Sequence, residues 1–143
     1  MKHQDYILCV DDDEDDCLLL EEAIKKSGRD IRMKFLPSAE EAIAFLSRAL
    51  NQFNLPKLII LDINMPRMNG TDLLSEIRDT LNINIPAIIL TTHPRDKDIL
   101  LGERNGASLL VKPSSLQNYD VIVETIFNSL WDLPKGDPPE TGS

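Results

Sequence analysis

The sequence has no apolar run long enough to cross a bilayer, and Met1-Lys2-His3-Gln4-Asp5 leads into a short strand-like run rather than the apolar core of a signal peptide. The expected address is therefore cytoplasmic, without membrane contact. Positive charge is scarce, with 15 Lys and Arg against 24 Asp and Glu, a formal net charge of −9. Nucleic-acid binding relies on basic residues that neutralise phosphates, so direct DNA binding is not expected and a metal cation or basic partner is. Cysteine is scarce too: Cys9 and Cys17 fit no C-x-x-C spacing and read as buried or half-buried thiols. His3 and His93 lack partners at metal-ligand spacing and read as surface residues. No internal repeat or domain boundary divides the 143 residues, and a hydrophobic content of 42% with 27% charged residues suits one globular module.

What the sequence does have is a regular alternation of short apolar runs and helical patterns. Tyr6-Ile7-Leu8-Cys9-Val10 reads as a strand that ends abruptly in six acids, Asp11 to Asp16. Asp13 to Asp16 suit a helix start, where carboxylates cap free N–H groups and favour the positive end of the dipole. Leu19, Leu20, Ala23 and Ile24 form that helix's apolar stripe, Leu18 lies off it, and Ser27-Gly28 is the expected stop. Ile31 to Leu36 alternates like a half-exposed edge strand, and Ser38-Ala39-Glu40-Glu41 has capping-box form before a second helix with Ala42, Ile43, Phe45, Leu46 and Ala49 inward. Leu58-Ile59-Ile60-Leu61 reads as a strand buried on both faces, and Asn69 to about Leu81 as a third helix with Leu73, Leu74 and Ile77 inward. Pro86 to Leu90 is another apolar strand. Arg95 to Asn105 is a weakly apolar fourth helix, expected to be the least firmly anchored. Ala107 to Val111 is a fifth strand. Ser115 to Trp131 is a last helix that buries some combination of Val121, Ile122, Val123, Ile126, Phe127 and Leu130, and Trp131 is read as a packing or interface residue. The tail 132–143 has no core-forming pattern and is expected to be disordered. Five strands alternating with five helices imply a parallel, doubly wound sheet with helices on both faces.

In such a sheet the carboxyl ends of the strands gather on one edge, so the residues that finish each apolar run become neighbours. Here these are Asp11 and Asp12, Asp62, Thr91 and Lys112. An ionised carboxylate at the end of a buried strand is costly unless that end opens onto a site. Three such acids need a counter-charge, and oxygen ligands with an open face suit Mg2+. An acid poised as nucleophile, a metal, a lysine and a hydroxyl are the parts needed to move a phosphoryl group onto a carboxylate.

An acidic pair after the first strand, Asp62 followed by Asn64-Met65-Pro66 and Gly70, Thr91 after the fourth strand and Lys112-Pro113 after the fifth together resemble the response-regulator receiver domain of two-component signalling, of the stand-alone type. The resemblance covers about residues 5–131 and implies the flavodoxin-like (βα)5 fold. It implies that Asp62 is the phosphoacceptor and that Asp11, Asp12, Asp62 and the Asn64 backbone carbonyl hold Mg2+, with Mn2+ as an alternative. Thr91 and Lys112 would grip the phosphoryl oxygens. The implied donor is a sensor histidine kinase or histidine phosphotransfer protein, docking on the first helix with Leu18 and on the Pro113 loop. The implied output is a downstream protein or a second copy on the face of the fourth helix, fifth strand and fifth helix. Two positions depart from the common pattern. Leu109 stands where many receivers carry an aromatic switch residue, and Thr92 follows Thr91 where a smaller residue is frequent, which implies slower dephosphorylation.

Rival readings are weighed by the same residues. A calcium loop over Asp11 to Asp16 would need Gly at its sixth place, which is Asp16, although Glu22 suits its twelfth. An aspartyl-phosphate-forming phosphohydrolase would commonly place a second acid two residues after the nucleophile, where Asn64 stands. A phosphorylation-independent adaptor would have lost acids at these positions, and none is lost.

Overall fold

A computed structural model describes residues 5–114 and 118–131. The elements in chain order are β1 (Tyr6–Val10), α1 (Glu14–Lys26), β2 (Arg32–Leu36), α2 (Ala39–Asn51), β3 (Leu58–Asp62), α3 (Gly70–Asp79), β4 (Ala87–Thr91), α4 (Asp96–Arg104), β5 (Ala107–Val111) and α5 (Tyr119–Trp131). The strands form one parallel sheet in the order β2-β1-β3-β4-β5. The doubly wound architecture follows from the sequence pattern as expected.

Burial explains why each apolar run became the element it did. β1, β3 and β4 are buried at every residue, as befits central strands covered on both faces, while β2 on one edge alternates between exposed and half-buried positions. One core layer joins Ile7, Cys9, Leu58, Ile60, Ile88 and Leu90 to α1 and α5; the other joins Leu8, Val10, Ile59, Leu61 and Ile89 to α2 and α3. Each fully buried aliphatic contributes roughly 1.5–3 kcal/mol, so the strands that carry the acids are the most firmly held part of the molecule. Cys9 and Cys17 are both buried and free, and a hydrogen bond of the Cys9 S–H to Cys17, together with burial, pushes the Cys9 thiol well above its ordinary value. They are core thiols.

Helix boundaries follow their caps. The Asp13 carboxylate accepts the Asp15 and Asp16 N–H groups at 3.0 and 3.3 Å and opens α1; Ser38 accepts the Glu41 N–H at 3.2 Å and opens α2. Asn69, expected inside α3, is its cap, accepting the Asp72 N–H at 2.9 Å, and the helix closes at Asp79 rather than Leu81. On α5, Val121 is exposed and the inward residues are Tyr119, Ile122, Val123, Ile126 and Phe127, because the helix turns Val121 away from the face its neighbours share. The expected start at Ser115, the His3 side chain, the Trp131 side chain and the tail 132–143 lie outside the described residues. Helix α4 buries only Asp98 and Gly102, in keeping with weak anchoring. It packs on β5 and α3, and Asp98, 1% exposed, accepts the Arg95 N–H and Nε–H at 3.3 and 3.1 Å.

Candidate functional site

Sheet register brings the strand-end residues together. Val10 pairs with Leu61 across β1 and β3, so Asp11 and Asp62 leave adjacent central strands at the same level, where the strand order reverses. Asp62 pairs with Leu90 on its other side, and Thr91 pairs with Val111, which sets Lys112 one residue beyond; the Lys112 N–H donates to the Thr91 carbonyl at 2.8 Å. The loop after Asp62 is fixed by a close approach. A Cβ on Gly70 would collide with the carbonyl oxygen of Asp62, so α3 can start against that backbone only with glycine there. The Gly70 N–H donates to Ile63 O at 3.1 Å, and Asn69 caps the helix that follows.

Carboxylate oxygens of Asp11, Asp12 and Asp62 lie within 4.8 Å of one another, Asp11 and Asp62 buried and Asp12 exposed. Such a set of hard oxygen donors, open on one side, suits a divalent cation. The Lys112 ammonium donates to Asp11 Oδ2 at 2.9 Å and to Asp16 Oδ2 at 2.7 Å, and stands 3.5 Å from Asp62 Oδ1. Burial raises the Asp62 carboxyl and the Asp11 charge raises it further; Lys112 and the Asn64 backbone N–H oppose them, and the result is about 6. Burial also raises Asp11, against the Asp13 N–H and Lys112. Burial pulls Lys112 down, but its hydrogen bonds to Asp16 and Asp11 and the charges around it outweigh that, and it stays protonated. The Thr91 hydroxyl is fully buried and has no hydrogen-bond partner among the described residues. An orphaned donor of this kind costs about 1–3 kcal/mol, and an anionic oxygen arriving beside Asp62 is a group it could satisfy.

The fold thus brings together Asp11, Asp12, Asp62, Thr91 and Lys112, with Asn64 exposed on the loop two residues after Asp62. Leu109 pairs with Ile89, two residues before the Thr91–Val111 pair, and is half-buried against the α2/α3 layer. Leu18 is 55% exposed on α1, and His93 is exposed. A calcium loop would have to run through residues that α1 already holds helical from Glu14. The sequence marks Asp16 only as a helix-start acid, yet it makes the shortest contact to Lys112, 2.7 Å. Its spacing to Leu20 and Ala23, both buried on α1, is the available signal that it shares their inward face.

The model of the response regulator receiver domain matches residues 7–124. The chain belongs to the response regulator receiver family. Response regulator Rcp1 of Synechocystis sp. is 32% identical over 129 residues, 87% of each chain. Probable methanogenesis regulatory protein FilR2 of Methanothrix harundinacea is 29% identical over 123 residues, 84% of this chain and 79% of that one. Among solved receivers, the phosphorylated cyanobacterial phytochrome response regulator RcpA matches with a TM-score of 0.75 at 28% identity, covering 92% of this chain and 96% of that one. The Mn2+-bound form of Rcp1 matches at 0.72 and 30% identity, covering 95% and 99%. No helix of the described residues is long and apolar enough to cross a membrane.

Proposed function

We propose that this receiver takes a phosphoryl group from a histidine of a sensor kinase or phosphotransfer protein onto Asp62. An Asp62 carboxylate oxygen forms the new O–P bond while the P–N bond to the donor imidazole breaks, and the imidazole nitrogen keeps the electron pair. Asp11, Asp12, Asp62 and the Asn64 backbone carbonyl are the residues that would hold Mg2+, or Mn2+ as in the solved form of Rcp1. A bound divalent ion supplies positive charge against the oxygens in flight. Lys112 supplies a second positive charge from the end of β5 at the same sheet edge, and Thr91 supplies a hydrogen bond that exists only once a phosphoryl oxygen is present. The observation that carries this reading is the Thr91 hydroxyl, without a partner among the described residues and buried at the same sheet edge as the three carboxylates and the lysine.

Drawing Thr91 toward a group of nearly two negative charges pulls the strand end that leads into α4, and α4 is the helix with the least buried apolar surface. Leu100, Val111 and Val121 are exposed on α4, β5 and α5, apolar residues that suit a downstream partner or a second copy on that face. Leu18 on α1 suits the donor. The test is incubation with a small phosphodonor and Mg2+, read by intact mass. One phosphoryl adduct that needs the metal is expected. Calcium binding without an adduct would favour the loop reading, and turnover of a phosphomonoester the hydrolase.

A further inference from the structure

We propose that Asp16 is a positioning residue that holds the Lys112 ammonium back from Asp62 and so weakens the site's hold on a transferred phosphoryl group. This rests on Asp62 being the acceptor. Lys112 Nζ lies 2.7 Å from Asp16 Oδ2, 2.9 Å from Asp11 Oδ2 and 3.5 Å from Asp62 Oδ1. Two contacts are within the range of charge-assisted hydrogen bonds and the third is beyond it. The lysine is therefore parked on the α1 side of the site.

Asp16 is suited to hold it there. The Lys112 side chain is only 8% exposed, whereas that of Asp16 is 28% exposed, so the acid keeps part of its hydration while the lysine has given up most of its own. The Asp16 backbone is fixed by the Asp13 cap, and its carboxylate sits in the first turn of α1, where the helix dipole favours a negative charge without help from Lys112. Leu20 and Ile24 bury the same helix against the sheet, so the backbone that carries Asp16 is held beside Lys112. A phosphoryl oxygen on Asp62 must compete with Asp16 for the lysine. Asp11 and Asp62 also face Lys112, but both carboxylates belong to the acceptor cluster itself; Asp16 is the acid that contacts the lysine from outside it.

Calorimetric titration of the full chain with beryllofluoride, a stable phosphoryl analogue, at saturating Mg2+ tests this. Asp16→Ala should bind roughly tenfold tighter, about the worth of one competing charge-assisted hydrogen bond. Asp16→Glu, which returns the carboxylate, should restore wild-type affinity, and in a Lys112→Gln background Asp16→Ala should change nothing. Unchanged or weaker binding by Asp16→Ala overturns the proposal, as does a gain that persists in full without Lys112. Should Lys112→Gln fail to fold, an Asp16→Glu variant as tight as Asp16→Ala overturns it equally. A wild-type chain that binds no beryllofluoride overturns the acceptor reading, and the proposal with it.

Discussion

Replacing Asp62 by Asn should make the metal-free protein more stable, and by an amount that depends on pH. In the folded chain the Asp62 carboxyl stands at about 6 against 3.8 for a free aspartate, chiefly through burial and then the Asp11 charge. A carboxyl whose proton is held more tightly in the folded state supports stability below the unfolded value, and that support is lost as pH rises through the folded value. At neutral pH the ionised Asp62 is thus a net cost. The gap between 3.8 and about 6, at about 1.4 kcal/mol per pH unit, sets a ceiling near 3 kcal/mol. Solvent reaches the mouth of the site beside exposed Asp12 and screens the charge, which brings the expected gain of Asp62→Asn to about 1–2 kcal/mol. In a chain of this size that is roughly 3–8 °C in Tm. The assay is thermal unfolding in chelator at neutral pH and at pH near 4, with and without Mg2+. The gain should disappear at the acid end, and added Mg2+ should raise the wild type more than the variant. A variant that is less stable than wild type at neutral pH in chelator, or equally stabilised at both pH values, would refute the reasoning.

Other perturbations have equally definite outcomes. Gly70→Ala should destabilise the fold by about 1–3 kcal/mol in denaturant titration and slow phosphorylation from a small donor, since the new Cβ must displace the Asp62 carbonyl; an unchanged midpoint would contradict the close approach. Thr92→Ala should shorten the lifetime of the phosphorylated form by opening the space beside Thr91, and an unchanged decay rate would dismiss that role. Leu18→Glu should slow transfer from a histidine donor while leaving phosphorylation by a small phosphodonor intact; equal rates from both would remove Leu18 from the docking face.

The parts of the site that sequence could reveal are those set by strand ends. Runs of buried aliphatics that stop at Asp11, Asp62, Thr91 and Lys112 define the sheet edge by themselves, and parallel register then does the assembling. Helix caps at Asp13, Ser38 and Asn69 were legible within a residue because capping is local chemistry. What pattern could not supply was pairing at a distance. Asp16 and Lys112 are separated by 96 positions, and an acid amid five others carries no mark of its partner. Val121-Ile122-Val123 is apolar at every position, so periodicity could not say that Val121 faces out; packing on α1 and the sheet decides it. Asp98, buried in place of an aliphatic residue on α4, breaks the pattern outright.

The acceptor reading stands or falls on where a phosphoryl group goes. The full chain, treated with a small phosphodonor, is digested and the modified peptide mapped, with Asp62→Asn and metal-free samples alongside. The prediction is a single adduct on the peptide that contains Asp62, absent from both controls. An adduct that survives in Asp62→Asn, or none in the wild type with Mg2+ present, would contradict it.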